Sequence, residues 1–226
     1  MPGEPSGPSP RWVDVLSPTI QPMIQLSDEL TRQADVLVGL GYPEQVRADA
    51  EALADPLRAL LADDVWAEPA RASFVLVPGR SVLPVSERVS MVRLGDRRGT
   101  LSRHFTDVDS FAPVLEVPDS PVYAVVGVER GEEFCGVRPA EAAVTIADRG
   151  RSMLTIEEGL AFLHAVPAAL EKNRCFHTGA SRTTDRRVPA LWISEKAPHL
   201  GWCWEQNHHT WLGVASAEAR VTIPAA

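Results

Sequence analysis

The stretch Val122–Val128, VYAVVGV, is apolar at nearly every position. It is far shorter than the ~18 residues needed to span a bilayer. Its valines favour a strand, and Pro and Asp residues precede it. A strand with only one buried face would alternate apolar and polar residues, and this one does not. The rest of the chain must therefore cover it on both faces. A chain of 226 residues with 45% apolar content has the material to do so within one domain.

The segment before it reads as helix. Ser27 is placed to cap a helix from Asp28 toward Leu40, with Leu30, Ala34 and Leu37 on one face. Gly41 and Pro43 stop it. A second helix is expected from Glu44 to Ala54, restarted by Asp55-Pro56 through Leu61. The texture then changes, and Ser73–Val77, Val89–Leu94 and Val114–Val117 read as further strands. Arg138-Pro139 opens a helix that runs to Asp148 and ends at Gly150. Thr155-Ile-Glu-Glu158 is a capping box ahead of a helix carrying Leu160, Leu163 and Val166, interrupted at Pro167. Val188–Ile193 and Thr210–Ala215 are the expected C-terminal strands. The class is α+β: a helical N-terminal layer, a mainly β centre, capped helices, then a strand-loop segment. Residues 1–18, rich in Pro, Gly and Ser, read as a disordered or loosely attached arm. Residues 19–226 read as a single α+β domain.

Chemistry-bearing residues crowd into Asn173–Ser216, with four of six Trp, four of six His and two of three Cys. Cys175-x-His177 and Cys203-x4-His208-His209 have ligand types but not the paired spacing of a structural zinc site, so no metal is expected. Ser181 lacks a nucleophile elbow. Arg182, Arg186 and Arg187 offer guanidinium forks that match a carboxylate or phosphate. The competing reading pairs them internally with Asp185, Glu195 and Glu205. Trp192, Trp202, Trp204 and Trp211 can wall an aromatic pocket, with Trp192 and Trp204 as the chosen candidates, and Trp202 and Trp204 share a face if the segment is a strand. The same face can equally be core. His177, His208 and His209 are the candidates for moving protons near neutral pH.

Other classes are disfavoured. A net charge of -8 argues against nucleic acid and anionic membrane surfaces as partners. No phosphate-binding or dinucleotide glycine motif occurs, and Lys172 and Lys196, the chain's lysines, sit in no Schiff-base context, so no cofactor is expected. The odd cysteine count and the lack of a signal pattern read as cytoplasmic.

NRCF at 173–176, DRRVPALWIS at 185–194, LGWCW at 200–204 and HTWLGVAS at 209–216 resemble the signature of an actinobacterial family known only as a domain of unknown function. The similarity extends back through Arg32–Pro43, Val122–Phe134 and Arg149–Phe162. The family pattern has Cys-Gly where this chain has Thr183-Thr184, and an aliphatic residue where it has His177. The resemblance therefore implies no metal site, and it implies no particular activity. From the residues themselves, the expectation is a small-molecule-binding protein, with cofactor-independent acid–base chemistry on an anionic metabolite as its catalytic form. The alternative is a non-catalytic binding or scaffold module whose Trp-rich segment is core.

Overall fold

A computed structural model describes residues 23–223. The N-terminal arm lies outside the described residues. The first helix, α1 (Leu26–Leu40), buries Leu26, Leu30, Ala34 and Leu37 on one face. Ser27 does not cap it. A two-residue strand, Ile24–Gln25, pairs with Asp64–Val65 and runs straight into the helix, so Gln25 takes the cap position without a side-chain bond. Gly41 ends α1 in the left-handed region at φ 107°, where the amides of Gly41 and Tyr42 reach back to Val38 and Leu37. Two short helices follow, α2 (Val46–Ala52) and α3 (Ala54–Arg58). Asp55 sits inside the first turn of α3 rather than capping it, because Leu53 is already helical and links the two helices almost continuously.

The apolar strand is the centre of a six-stranded sheet. As Val122–Glu129 it runs antiparallel to Arg71–Pro78 on one side and to Ser216–Ala217 and Ala219–Val221 on the other. Both its faces are covered, although the sheet is antiparallel. Val122, Ala124 and Val126, with Phe74 and Leu76, pack under α1 to α3. Tyr123 and Val125, with Val75 and Val77, pack on the opposite side. Alternation breaks at Gly127, so that Val128 and its partner Ala72 join the second side. Gly127 has φ 64°, and a Cβ there would lie 2.5 Å from the Glu218 carboxyl carbon. Glycine meets both demands.

The run Val89–Leu94 is not a strand. Val85, Arg88 and Val89 are buried at i, i+3 and i+4 spacing in a short helix, α4 (Val85–Val89), and only Arg93–Leu94 is extended. An apolar run this short fits either period, and packing against the later helix Ile156–Ala165 decides it. Val114–Val117 is likewise irregular. The strand there is Ala112–Pro113, paired with Ser181–Arg182, and Val114 is exposed. Helix α5 (Pro139–Asp148) has Arg138 at its cap and Pro at the first position, and Gly150 follows it at φ 70°.

Helix α6 (Ile156–Ala165) is buried at all ten positions. Its capping box is complete: Glu158 N–H donates to Thr155 Oγ1, and Thr155 N–H donates to Glu158 Oε2 at 2.8 Å. One side of α6 lies on Arg71–Pro78. The other meets a second, five-stranded sheet, where Phe176 and Leu191 approach Gly159. The order across that sheet is Leu212–Val214, Cys175–His177, Arg187–Ser194, Ala197–Trp204, Thr100–Leu101. The layers are thus helices, sheet, α6, sheet. Among the described residues no helix is long and apolar enough to cross a membrane.

Candidate functional site

The hairpin Arg187–Ser194/Ala197–Trp204 sorts the C-terminal candidates by face. Its register pairs Trp192 with His199, Leu191 with Leu200 and Arg187 with Trp204. Leu191 and Leu200 point toward α6, and so by alternation do Trp202, Trp204 and Arg187. Ala190, Trp192, His199 and Gly201 point to the outer face. Gly201 leaves room for the indole of Trp192, since a Cβ there would stand 2.2 Å from it. Trp192 and Trp204 are therefore on opposite faces and cannot wall one pocket. Trp202 and Trp204 do share a face, with ring centroids 5.0 Å apart.

The arginine loop is an ion-pair network. Arg187 donates from Nε to Asp185 at 2.7 Å and from Nη1 and Nη2 to Asp107 at 2.9 and 2.5 Å. It also stacks on Phe111 and Trp202. Its hydrogen bond to Asp107 raises the Arg187 pKa further and holds the Asp107 carboxyl below its usual range. Arg182 and Arg186 each stand 3.6 Å from Glu205. Two of the three carboxylates expected from sequence, Asp185 and Glu205, serve here. Glu195 lies at the far hairpin turn, and Asp107, 80 residues away, is the partner that sequence proximity could not suggest.

His177 and His209 come together, and Arg182 lies within electrostatic reach of His177. His177 is 1% exposed. Its Nδ1 is 3.0 Å from the Gly213 carbonyl, which can only accept, so Nδ1 carries the proton and Nε2 the lone pair. Burial, reinforced by His209 and Arg182, pushes its pKa down to about 4 against the opposing Gly213 bond. His209 is half-buried, and its pKa is also lowered by burial. Neither Nε2 has a hydrogen-bond partner among the described residues. His208 is exposed beside them.

At the other end of the outer face lies a cleft of about 770 Å3. Trp192 and Trp211 form aromatic walls, with ring centroids 6.4 Å apart at 75°. Cys175, Ile193 and Leu94 add apolar lining, and burial pushes the Cys175 thiol up, keeping it a thiol. Both lysines of the chain, Lys172 and Lys196, line the same cleft. Glu195 lines it too, and neither lysine forms a salt bridge among the described residues. Each sits in a two-residue turn. Glu195-Lys196 joins the hairpin at Ser194 and Ala197, with both residues at positive φ, 50° and 65°. Lys172-Asn173 joins Glu171 to Arg174, with Asn173 at φ 64°. These three are the non-glycine residues in the left-handed region among the described residues. The first turn is of the kind that favours Asn-Gly, so Glu-Lys there carries strain of ~1 kcal/mol or more per residue.

Residues 36–223 match a family described as a family of unknown function, DUF5701. The match takes in well over half of the chain. The chain belongs to DUF5701. No curated protein and no solved structure matches it.

Sequence reasoning missed several groups in this DUF5701 chain. Lys172 and Lys196 entered no candidate set, although the scarcity of lysine against arginine was visible. A buried cluster at the start of α6 was also missed. Glu158 is 1% exposed and accepts from Tyr123 Oη at 3.0 Å and from Arg220 Nε and Nη2 at 2.6 and 2.8 Å. Burial first, then Glu158, raises the Tyr123 pKa well above the usual phenol range, so that it stays a donor. Glu158 was legible as a capping residue; its second role depends on partners 35 and 62 positions away.

Proposed function

We propose that this chain is a small-molecule-binding protein whose ligand is an aromatic or apolar organic anion held in the Trp192–Trp211 cleft. One observation carries the reading. The only two lysines in the chain, both without a carboxylate partner among the described residues, converge on one aromatic cleft from turns that hold strained residues. The cleft volume falls within the range of small-molecule sites, and an indole face can stack on a flat body. Ammonium groups at the rim supply point charges for a carboxylate, sulfonate or phosphate. Strained turn geometry is kept where surrounding structure fixes it, commonly at ligand clamps.

The test uses 1-naphthoate and its uncharged counterpart 1-naphthamide, followed by tryptophan fluorescence and calorimetry. Naphthoate should bind the wild type and bind at least tenfold more weakly to the Lys172→Ala/Lys196→Ala variant. Naphthamide should bind weakly and indifferently to both. Raising the salt concentration should weaken only naphthoate. Equal binding of acid and amide, or no change in tryptophan emission with either, would reject the cleft as an anion site and leave the scaffold reading.

A further inference from the structure

Glu157, the second residue of α6, is 3% exposed. Both its carboxylate oxygens are buried, and neither has a hydrogen-bond partner among the described residues. The contrast with Glu158 is sharp, since that carboxylate is filled by one backbone amide, one phenol and a two-pronged guanidinium. The nearest cation to Glu157 is Arg80, whose Nη1 stands 3.5 Å from Oε1. Its Nη2 donates instead to the Asp109 carbonyl at 3.0 Å. Arg80 is also partly exposed, so it attracts Glu157 through the medium without saturating it.

Glu157 lines a cavity of about 210 Å3, bordered also by Arg80, Asp119, Ser120, Tyr123 and Thr155. Two hydroxyl groups there are committed as donors: Ser120 donates to the Val122 carbonyl and Tyr123 donates to Glu158. The Thr155 hydroxyl accepts from the Glu158 amide, and neither it nor the hydroxyl of Ser81, which also lines the cavity, donates to Glu157. The Glu157 acceptors are thus left without a donor in this cavity. Two carboxylates, Glu157 and Asp119, face one guanidinium. A buried carboxylate short of donors is unfavourable unless something brings them. The α6 N-terminus favours the negative charge but does not fill its lone pairs.

We propose that this cavity is a second binding site, separate from the Trp192–Trp211 cleft, for a small organic cation that carries N–H donors, with Glu157 as its anchoring carboxylate. A primary ammonium with a short alkyl chain fits both the volume and the missing donors. A nucleotide-sized cation does not.

The experiment compares n-propylammonium with tetramethylammonium chloride at equal ionic strength, by thermal melting and calorimetry on the full chain. Both carry one positive charge, but only propylammonium has N–H donors. Propylammonium should raise the melting temperature saturably, and tetramethylammonium should not. Glu157→Gln should weaken propylammonium binding at least tenfold while leaving the ligand-free melting temperature unchanged or higher, because it removes an unsatisfied buried charge. Arg80→Ala, which removes the competing cation, should strengthen binding. The proposal is overturned if both cations act alike, or if Glu157→Gln lowers the ligand-free melting temperature by several degrees. It is overturned equally if Arg80→Ala leaves propylammonium binding unchanged or weaker. Naphthoate binding, read on the same variants, is expected to be unaffected in every case, so failure here is separable from failure of the cleft.

Discussion

Two buried histidines should make this protein acid-labile well above the pH at which its carboxylates titrate. His164, in the last turn of α6, is 5% exposed and packs edge-on against Tyr42 with Arg88 nearby. His177 is 1% exposed beside His209 and Arg182. Burial is the leading cause in both, and each pKa falls from 6.5 to about 4. The folded value is below the unfolded one, so the unfolded chain takes up the proton first. Stability is unaffected above pH 6.5, falls as pH drops below it, and stops falling near pH 4. At pH 5 the loss is about 1.5 units at 1.36 kcal/mol each, or ~2 kcal/mol per histidine and ~4 kcal/mol for both. That is a large share of the 5–15 kcal/mol typical of a folded domain. Asp107, Asp185 and Glu133, held low with their arginine partners, lose their contribution only in the more acidic carboxylate range. With a urea dependence of ~2 kcal/mol per M, the midpoint should fall by ~2 M between pH 7.5 and pH 5. His164→Leu and His177→Leu should each remove about half of that fall. A midpoint that is flat across this range, or leucine variants with the wild-type slope, would refute the assignment of neutral buried imidazoles.

Gly159→Ala should destabilise although alanine is the better helix former. Its Cβ would lie 2.3 Å from Thr178 Cγ2 and 3.3 Å from Leu191 and Phe176, so overpacking outweighs a helix gain of ~1 kcal/mol and leaves a net loss of ~1–2 kcal/mol in unfolding free energy by urea titration. Adding Thr178→Ser, which deletes the offending methyl, should recover most of it; an alanine variant as stable as wild type would show that the sheet gives way freely. Arg187→Ala should cost ~2 kcal/mol after allowance for half-exposed carboxylates, because two ion pairs and two aromatic stacks are lost, whereas exposed Arg186→Ala should stay within ~0.5 kcal/mol. Equal melting-temperature losses in the two variants would mean that the Asp107 pair contributes nothing.

Local rules were readable where a single segment decides the outcome. Thr155 and Glu158 form their capping box because both groups lie within one turn, and Gly41 and Gly150 stop helices because the left-handed region excludes most other residues. VYAVVGV could be placed at the centre of a sheet because no other arrangement hides it. Rules failed where distant partners vote. Val85–Val89 and the following residues satisfy both periods, and α6 selects the helix. Ser27 is a good capping residue, but the pairing of Ile24–Gln25 with Asp64–Val65 starts the helix before it is reached. The arginine loop shows the same limit in charge: its local surplus is balanced by Asp107, which the fold brings from 80 positions away. The crowding of Trp, His and Cys in 173–216 falls on a sheet with two chemically distinct faces. It could not say which residue lay on which face, because that depends on a hairpin register centred on Glu195-Lys196.

That register also explains why a strained turn can persist. Glu195 and Lys196 sit in a two-residue loop closed by eight consecutive cross-strand pairs, from Ser194–Ala197 to Arg187–Trp204. Slipping one strand by one residue to relax the turn would send that strand's inner residues outward, Leu191 from the first strand or Leu200 from the second. Both are at most 1% exposed, so the slip would forfeit ~2 kcal/mol of leucine burial, on the scale of the turn strain, besides the burial of every other inner residue of that strand. The inner face of the sheet thus holds the turn, and the turn in turn places Lys196 at the mouth of the cleft on the outer face. Core packing against α6 and presentation of a cation to solvent are two consequences of one register. A substitution that relaxes the turn, such as Glu195→Asn with Lys196→Gly, should therefore raise the urea midpoint, while removing one ammonium and one carboxylate from the lining of the proposed site.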